Sequence, residues 1–452
     1  MMNRRRPTPA RTRARRQRQR GFTLVELLVA MAAGLLVSMA AFLLSKNATR
    51  FFQNEARASA SHLAATLAMN RIVADLQRAS HLSSPNVQRD PFVCGSPGTW
   101  PDGMRRIAGV AIQRRGSVFL NPADLGHSIA NSLWPDSLVV GGSFNTTEQF
   151  YFNSINCTAG GCVVNIDPFS GAVQRTLARE SGGGESLSDI FRVGRVLRLK
   201  ILGQSKTMYG VIQGSVVAGV PPATIQVNLA TTPALPQLQT FGDCGVSSGF
   251  NGAGGFANPV SRVRYEIQSL LSDPTYAPLV APVNAAMTGD NGRTELVRVE
   301  LDADDQPIDG TRELIAEYAV DLKFGLSATS GPEGGPFDNG VTNPQIIRYP
   351  ITSPVENPNV YLIGADNTQP GAAPERVRTV QVRLSVRSRA PDRSAFIAAG
   401  PDGRRNRFLI PGIVAGVNTP AAAVPAGAPP VFARMRTLYA DVALPNQAVV
   451  PW

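Results

Sequence analysis

The feature that most constrains this chain is an apolar run from Phe22 to Leu44 whose only ionisable side chain is Glu26, at its fifth position. A helix of these 23 residues rises about 34 Å, enough to cross a hydrocarbon core of about 30 Å. Nine arginines precede the run, at positions 4, 5, 6, 11, 13, 15, 16, 18 and 20, with no acidic residue among them. Positive residues flanking a span stay cytoplasmic. The N-terminus is therefore expected inside, and the chain beyond the helix in the periplasm. A carboxylate in hydrocarbon costs about 2.5–3.5 kcal/mol at the bilayer centre and less near the surface, so Glu26 requires a partner.

An uncleaved signal anchor is the plain alternative. A cleaved secretory signal fits poorly, because the run ends Phe42-Leu43-Leu44-Ser45-Lys46 with no small-residue A-x-A site. A twin-arginine signal fits no better, since Gln17 and Arg18 follow Arg15-Arg16. The formal charge of +11 suggests nucleic acid at first sight. Nine of those charges lie in residues 1–21, which leaves +2 from Phe22 onward. No nucleic-acid binding is expected of the mature head.

The segment Arg20-Gly21-Phe22-Thr23-Leu24-Val25-Glu26 resembles the N-terminus of type IV prepilins. The resemblance implies cleavage by a prepilin peptidase between Gly21 and Phe22, followed by N-methylation of Phe22. It also implies that Glu26 pairs with the N-terminal amine of a neighbouring subunit, each charge lowering the desolvation cost of the other. Glycine at the cut suits a protease cleft, since it lacks the Cβ that restricts the backbone. By that resemblance the fold is α+β: a long N-terminal helix, membrane-spanning in its first half, packed on a β-rich head with an antiparallel sheet and long loops. The segments are then 1–21, a basic leader that is removed; 22–84, the transmembrane and spine helix; and 85–452, the head, with a possible inserted subdomain at 86–260.

The residues are consistent with that plan. From Phe22 to Ser80 there is no proline and one glycine, Gly34, and Pro85 stops the helix. Its outer half has an apolar stripe of Phe52, Ala56, Leu63, Leu67, Met69, Ile72, Val73 and Leu76 on which a sheet is expected to pack, with Arg57, Arg71, Asp75 and Arg78 between. A content of 42 glycines and 35 prolines in 452 residues exceeds the usual share of about 12 % and favours a β-rich, turn-rich head. Alternating strands are expected at 193–199, 224–227, 263–267, 297–301, 320–324, 380–387 and 437–442. In the segment 380–387, one face is expected to meet the helix and the other to present Arg383 and Arg387 to solvent. Residues 327–374 and 414–430 read as loops, although Ile346-Ile347 and the stretch Val360 to Ile363 have the character of short strands.

The order of the late strands is similar to that of PilW-like minor pilins. No helix-kinking proline occurs near Leu43, where many major pilins carry one, and the head is large for a repeating shaft subunit. Together these imply a non-enzymatic minor pilin that primes fibre assembly at or near the tip. Its partners would be the peptidase, other minor pilins, the major pilin and the inner membrane, and its place after assembly the cell surface. Two alternatives share the same N-terminus: a minor pseudopilin of a type II secretion or DNA-uptake system, and a tip adhesin.

Four cysteines fit an oxidising compartment. Three pairings are open; the short loop through Gly160 and Gly161 favours Cys157–Cys162, leaving Cys94–Cys244. The three histidines, His62, His81 and His127, form no metal motif, and no cofactor is expected. Gly252 to Ala257 matches a dinucleotide-binding pattern formally, but Asn258-Pro259 stands where a helix would have to run. Gly203 to Thr207 lacks the glycines of a phosphate loop. Asp302, Asp304 and Asp309 are a weak calcium candidate, set against an ordinary hairpin tip in which Asp and Gly form turns.

Overall fold

The computed structural model describes residues 22–114, 125–219, 224–247, 251–271, 273–280, 292–330, 345–351, 363–364, 366–368, 371–389, 406–414 and 430–448. Gly21, the rest of the expected leader, most of the 360–363 segment and most of the 414–430 loop lie outside them. The chain divides after Ala56 into two units. Helix α1 (Leu24–Gln77) supplies most of the first. Its apolar side chains point outward throughout, from Phe22 at 86 % exposure to Leu44 at 72 %. The helix is long and apolar enough to cross a membrane, and none of its most apolar window is buried.

In the second unit α1 ends at Gln77, earlier than the expected Ser84. Ser80 and Leu82 adopt positive φ values of 61° and 50°, a conformation rare for non-glycine residues, and so turn the chain. The freed carbonyls of Gln77 and Ala79 accept from Asn446 Nδ2 at 3.3 and 3.0 Å, which caps the helix from the far end of the sequence. Arg78 donates to the carbonyls of Phe144 and Ser143 at 2.7 and 2.6 Å.

The expected apolar stripe is split. Ala65, Ala68, Met69, Ile72 and Leu76 are buried, whereas Leu63 and Leu67 remain 60 % exposed. The inward face of this half begins with Ala58, Ser61, Ala65 and Ala68. These small side chains fix the buried face, and the leucines fall on the other side.

Two antiparallel systems form the head. The first holds β1 (Val110–Gln113), β2 (Ser137–Gly142), β3 (Phe150–Thr158), β4 (Gly161–Ile166), β5 (Val196–Ile201), β6 (Met208–Ala218), β7 (Thr224–Leu229), β8 (Asn251–Gln268), β9 (Glu295–Leu301) and β10 (Glu313–Glu317). The pairings β8-β3-β4-β7-β6-β5 return to β8, so these strands close a six-stranded barrel. Closure removes the exposed edges that an open sheet would carry. Phe150, Phe152, Val164, Leu197, Leu199, Ile212 and Val227 fill the interior.

Residues 255–257 of β8 lie between β3 and β5, and there a Cβ on Gly255 would stand 2.3 Å from the Phe152 ring and 2.4 Å from the Lys200 carbonyl. Glycine lets the closing strand pass. The glycine-rich run 252–257 is thus part of a strand. Beyond it, residues 261–268 of β8 leave the barrel and pair with β2 and β9. Segment 86–260 accordingly contains most of the barrel, but also β1 and β2, which belong to the sheet behind α1.

The second system orders β12 (Ile346–Tyr349), β11 (Ala319–Thr329), β13 (Val377–Arg387), β15 (Pro430–Ala443) and β14 (Arg407–Val414). One core joins the inward face of α1 to both systems, through Val140, Val263 and Leu296 on one side and Phe324, Val382 and Leu384 on the other.

Several charged side chains of the alternating strands are buried, including Arg387, which was expected to face solvent. Arg298 and Glu300 of β9 are 3 % and 4 % exposed, so that strand is covered on both faces. Arg387 is 1 % exposed because its guanidinium lies over the rings of Tyr318, at 4.8 Å, and Phe408, at 5.6 Å. Arg383 is held by Asp321 at 2.8 Å. The strand expected at 193–199 begins only at Val196, since Gly194 sits in a turn at φ 90°.

Candidate processing and assembly site

Thr23 and Glu26 close a reciprocal cap on the start of α1. The Thr23 N–H and its hydroxyl both donate to Glu26 Oε2, at 3.0 and 3.1 Å, and the Glu26 N–H donates to Thr23 Oγ1 at 3.3 Å. This is the Thr-x-x-Glu capping box, which satisfies two amide donors at the point where a helix leaves them free. A carboxylate here also meets the positive end of the helix dipole. Phe22, immediately before the cap, is 86 % exposed. Glu26 therefore serves its own helix through one oxygen, while Oε1 accepts no hydrogen bond among the described residues.

A family model for the prokaryotic N-terminal methylation motif matches residues 16–42. The N-terminus thus carries a prepilin-like methylation motif. No curated protein and no solved structure matches the chain. The motif implies processing by a prepilin peptidase, and the exposed apolar helix behind it is long and apolar enough to cross a membrane.

The head buries a second group of charges that alternation alone did not reveal. Asp75, from the inward face of α1, is 2 % exposed. Its Oδ2 accepts from Tyr265 Oη at 2.7 Å and from Arg298 Nε at 2.8 Å. Arg298 also donates to Glu313 Oε1 at 2.7 Å, and Glu313 binds Arg71 at 3.2 Å. The network returns to the helix one turn before Asp75. Burial, and next the Asp75 carboxylate, push the Tyr265 phenol up, so it remains a neutral donor. Burial alone would lower Arg298, but Asp75, Tyr265 and Glu313 hold it above the usual guanidinium value. The signal for Asp75 was its position three residues after Ile72 and one before Leu76, on the buried face.

Two further carboxylates are held in the same way. Arg195 grips Glu300 with two bonds, at 2.7 and 2.8 Å. Burial pushes Glu300 up, but the Arg195 hydrogen bonds and charge prevail and leave it lowered. Asp305 bonds Arg262 and Arg106, each at 2.6 Å. Burial opposes its ionisation, and the two guanidiniums overcome it.

Cys94 is joined to Cys244, and Cys157 to Cys162 across the β3–β4 hairpin. The first bridge and Cys162 lie in the barrel core. Asp302, Asp304 and Asp309 do not converge: Asp302 Oδ1 accepts the amide protons of Asp304 and Gln306, at 2.9 and 2.8 Å. Among the described residues, no three side chains of His, Cys, Asp or Glu are grouped to hold a metal.

Proposed function

We propose that this chain is a PilW-like minor pilin that primes type IV pilus assembly and resides at or near the fibre tip. The observation that carries the reading is the start of α1: a capped Glu26 one helical turn past Phe22, heading an exposed apolar helix. In this reading the peptidase cuts between Gly21 and Phe22 on the cytoplasmic side, and methylates the new Phe22 terminus. The protein performs no chemistry of its own. Its contribution is packing within the membrane and pairing of Glu26 with the ammonium of a neighbouring subunit.

A carboxylate can accept at both oxygens. The capping bonds occupy Oε2, which leaves Oε1 for the incoming amine without loss of the cap. A large head, with two strand systems and two disulfides, suits a position where nothing has to stack above it. A minor pseudopilin of a secretion or uptake filament shares every one of these features except the identity of its partners.

Two variants test the reading. Gly21→Ala is expected to block maturation, seen as retention of the basic leader on the membrane-bound protein. Glu26→Ala is expected to leave cleavage intact while lowering recovery in sheared fibres. Normal maturation of the Gly21 variant contradicts the first part, and wild-type incorporation of the Glu26 variant the second. Co-purification with secretion components rather than pilus components replaces the pilus assignment with the pseudopilus one.

A further inference from the structure

The outer side of the barrel carries an open cleft of about 460 Å³, within the range that takes small ligands. Its floor is formed by Lys200 and Phe256, paired across β5 and β8, with Arg198 one row away opposite Asn258. Phe256 is 37 % exposed and stands edge-on to Tyr151, with ring centres 5.9 Å apart. Leu82 and Ser83 form one rim and Leu202 belongs to the lining. The Leu82 rim is built deliberately: its φ is 50°, and its carbonyl is fixed by Asn258 Nδ2 at 2.8 Å. Strained backbone of this kind is held only where its surroundings enforce it.

Two cations line this cleft without a carboxylate partner among the described residues. Arg195, Arg262 and Arg298 each bind a carboxylate. Arg198 and Lys200 do not: Arg198 donates to Asn258 Oδ1 at 3.4 Å and Lys200 to the Ser205 carbonyl at 3.0 Å, and neither has a carboxylate partner among the described residues. The nearby Glu148 is already taken by Arg175 and Arg179. Ser83 Oγ, buried in the rim, has no hydrogen-bond partner among the described residues.

We infer that this cleft binds an acidic sugar, a uronate unit of an oligosaccharide. The carboxylate meets Arg198 and Lys200 in charge-assisted hydrogen bonds. One C–H face of the ring lies on Phe256, and Gln149 takes a ring hydroxyl. A single-stranded nucleic acid fits less well, because it needs a basic groove with successive stacking rings. Here the lining carries a single aromatic ring, Phe256, and the chain from Phe22 onward carries only +2. The inference rests on the barrel alone and holds whether or not the chain enters a filament.

The test is isothermal titration of the full chain in detergent with tetragalacturonate, with neutral galactotetraose and a short oligothymidylate as comparison probes. The uronate oligomer is expected to bind with an affinity that falls as salt rises. The double variant Arg198→Gln/Lys200→Gln is expected to bind it about ten-fold or more weakly at unchanged melting temperature. Phe256→Ala is expected to weaken it as well, and Arg348→Gln, an exposed arginine elsewhere, to leave it unchanged. Absence of uronate binding, equal binding of the neutral sugar, binding that survives the double variant, or preference for the oligothymidylate overturns the inference.

Discussion

From Phe22 to Leu44 the chain turns its apolar side chains outward and keeps a single carboxylate, Glu26. From Arg57 onward it turns apolar side chains inward and buries carboxylates and guanidiniums together, as in Asp75 with Arg298 and Glu300 with Arg195. Both regions obey one rule: a charge leaves water only with a partner. The head finds its partners within the chain. The outward-facing helix offers Glu26 two donors from Thr23 and no cation among the described residues. In the proposed reading the completing charge comes from a neighbouring subunit, and the contrast with the head is then one between a self-sufficient region and one made for assembly.

The strongest way to break the comparison is to orphan a buried charge. Asp75→Ala leaves the buried Arg298 with only the partly exposed Glu313, and is expected to cost about 3–5 kcal/mol in urea unfolding of the full chain in detergent. Replacing both partners, as Asp75→Leu with Arg298→Met, is expected to cost far less, because no charge is stranded. Equal losses in the two variants contradict the pairing argument.

The two sides of α1 in the head sharpen it next. Ile72→Ala removes a fully buried side chain and is expected to cost about 2–5 kcal/mol in the same assay. Leu67→Ala, at a position 60 % exposed, is expected to stay within about 0.5 kcal/mol. A comparable loss at Leu67 contradicts the observed face.

Acid probes the same pairs together. Glu300 and Asp305 titrate below their ordinary values of 4.5 and 3.8. The unfolded chain therefore takes up protons first as pH falls. Their stabilisation is complete above those values and is lost as pH drops through the lowered ones. Glu295, raised by burial, works in the opposite direction. The melting temperature of the wild type is expected to decline below about pH 4, and that of Glu300→Gln to decline less from its lower starting point. Parallel acid limbs contradict the role given to Glu300.

The smallest effect on the isolated subunit is expected at Glu26→Gln. An amide oxygen still accepts from Thr23, so circular dichroism of the helix is expected to be unchanged, while the neutral side chain no longer draws an ammonium. A loss of helix in the isolated subunit contradicts the separation of capping from assembly.

These residues also mark what the amino-acid order reveals. The start of α1 was legible because its charge and apolar run are local, whereas the Thr23–Glu26 cap, equally local, was not read from the sequence. The strands at 263–267, 297–301 and 380–387 were legible from alternation, and each lies within a strand of the structure. Their covered faces were not. A period of two reads the same whether Arg387 faces water or the ring of Tyr318, since the distinction lies with residues far along the chain. Barrel closure was hidden for a similar reason: it depends on β8 pairing with β5 across more than fifty residues, and its glycine run imitates another motif. The cleft depends on the left-handed Leu82, a leucine with no composition signal for that backbone.

The most direct measurement is intact mass and N-terminal fragment analysis of the chain recovered from membranes of peptidase-bearing cells. The reading advanced here predicts a polypeptide that begins at Phe22 and carries one methyl group on its amine. A chain that keeps residues 1–21, or one that begins anywhere else, contradicts it.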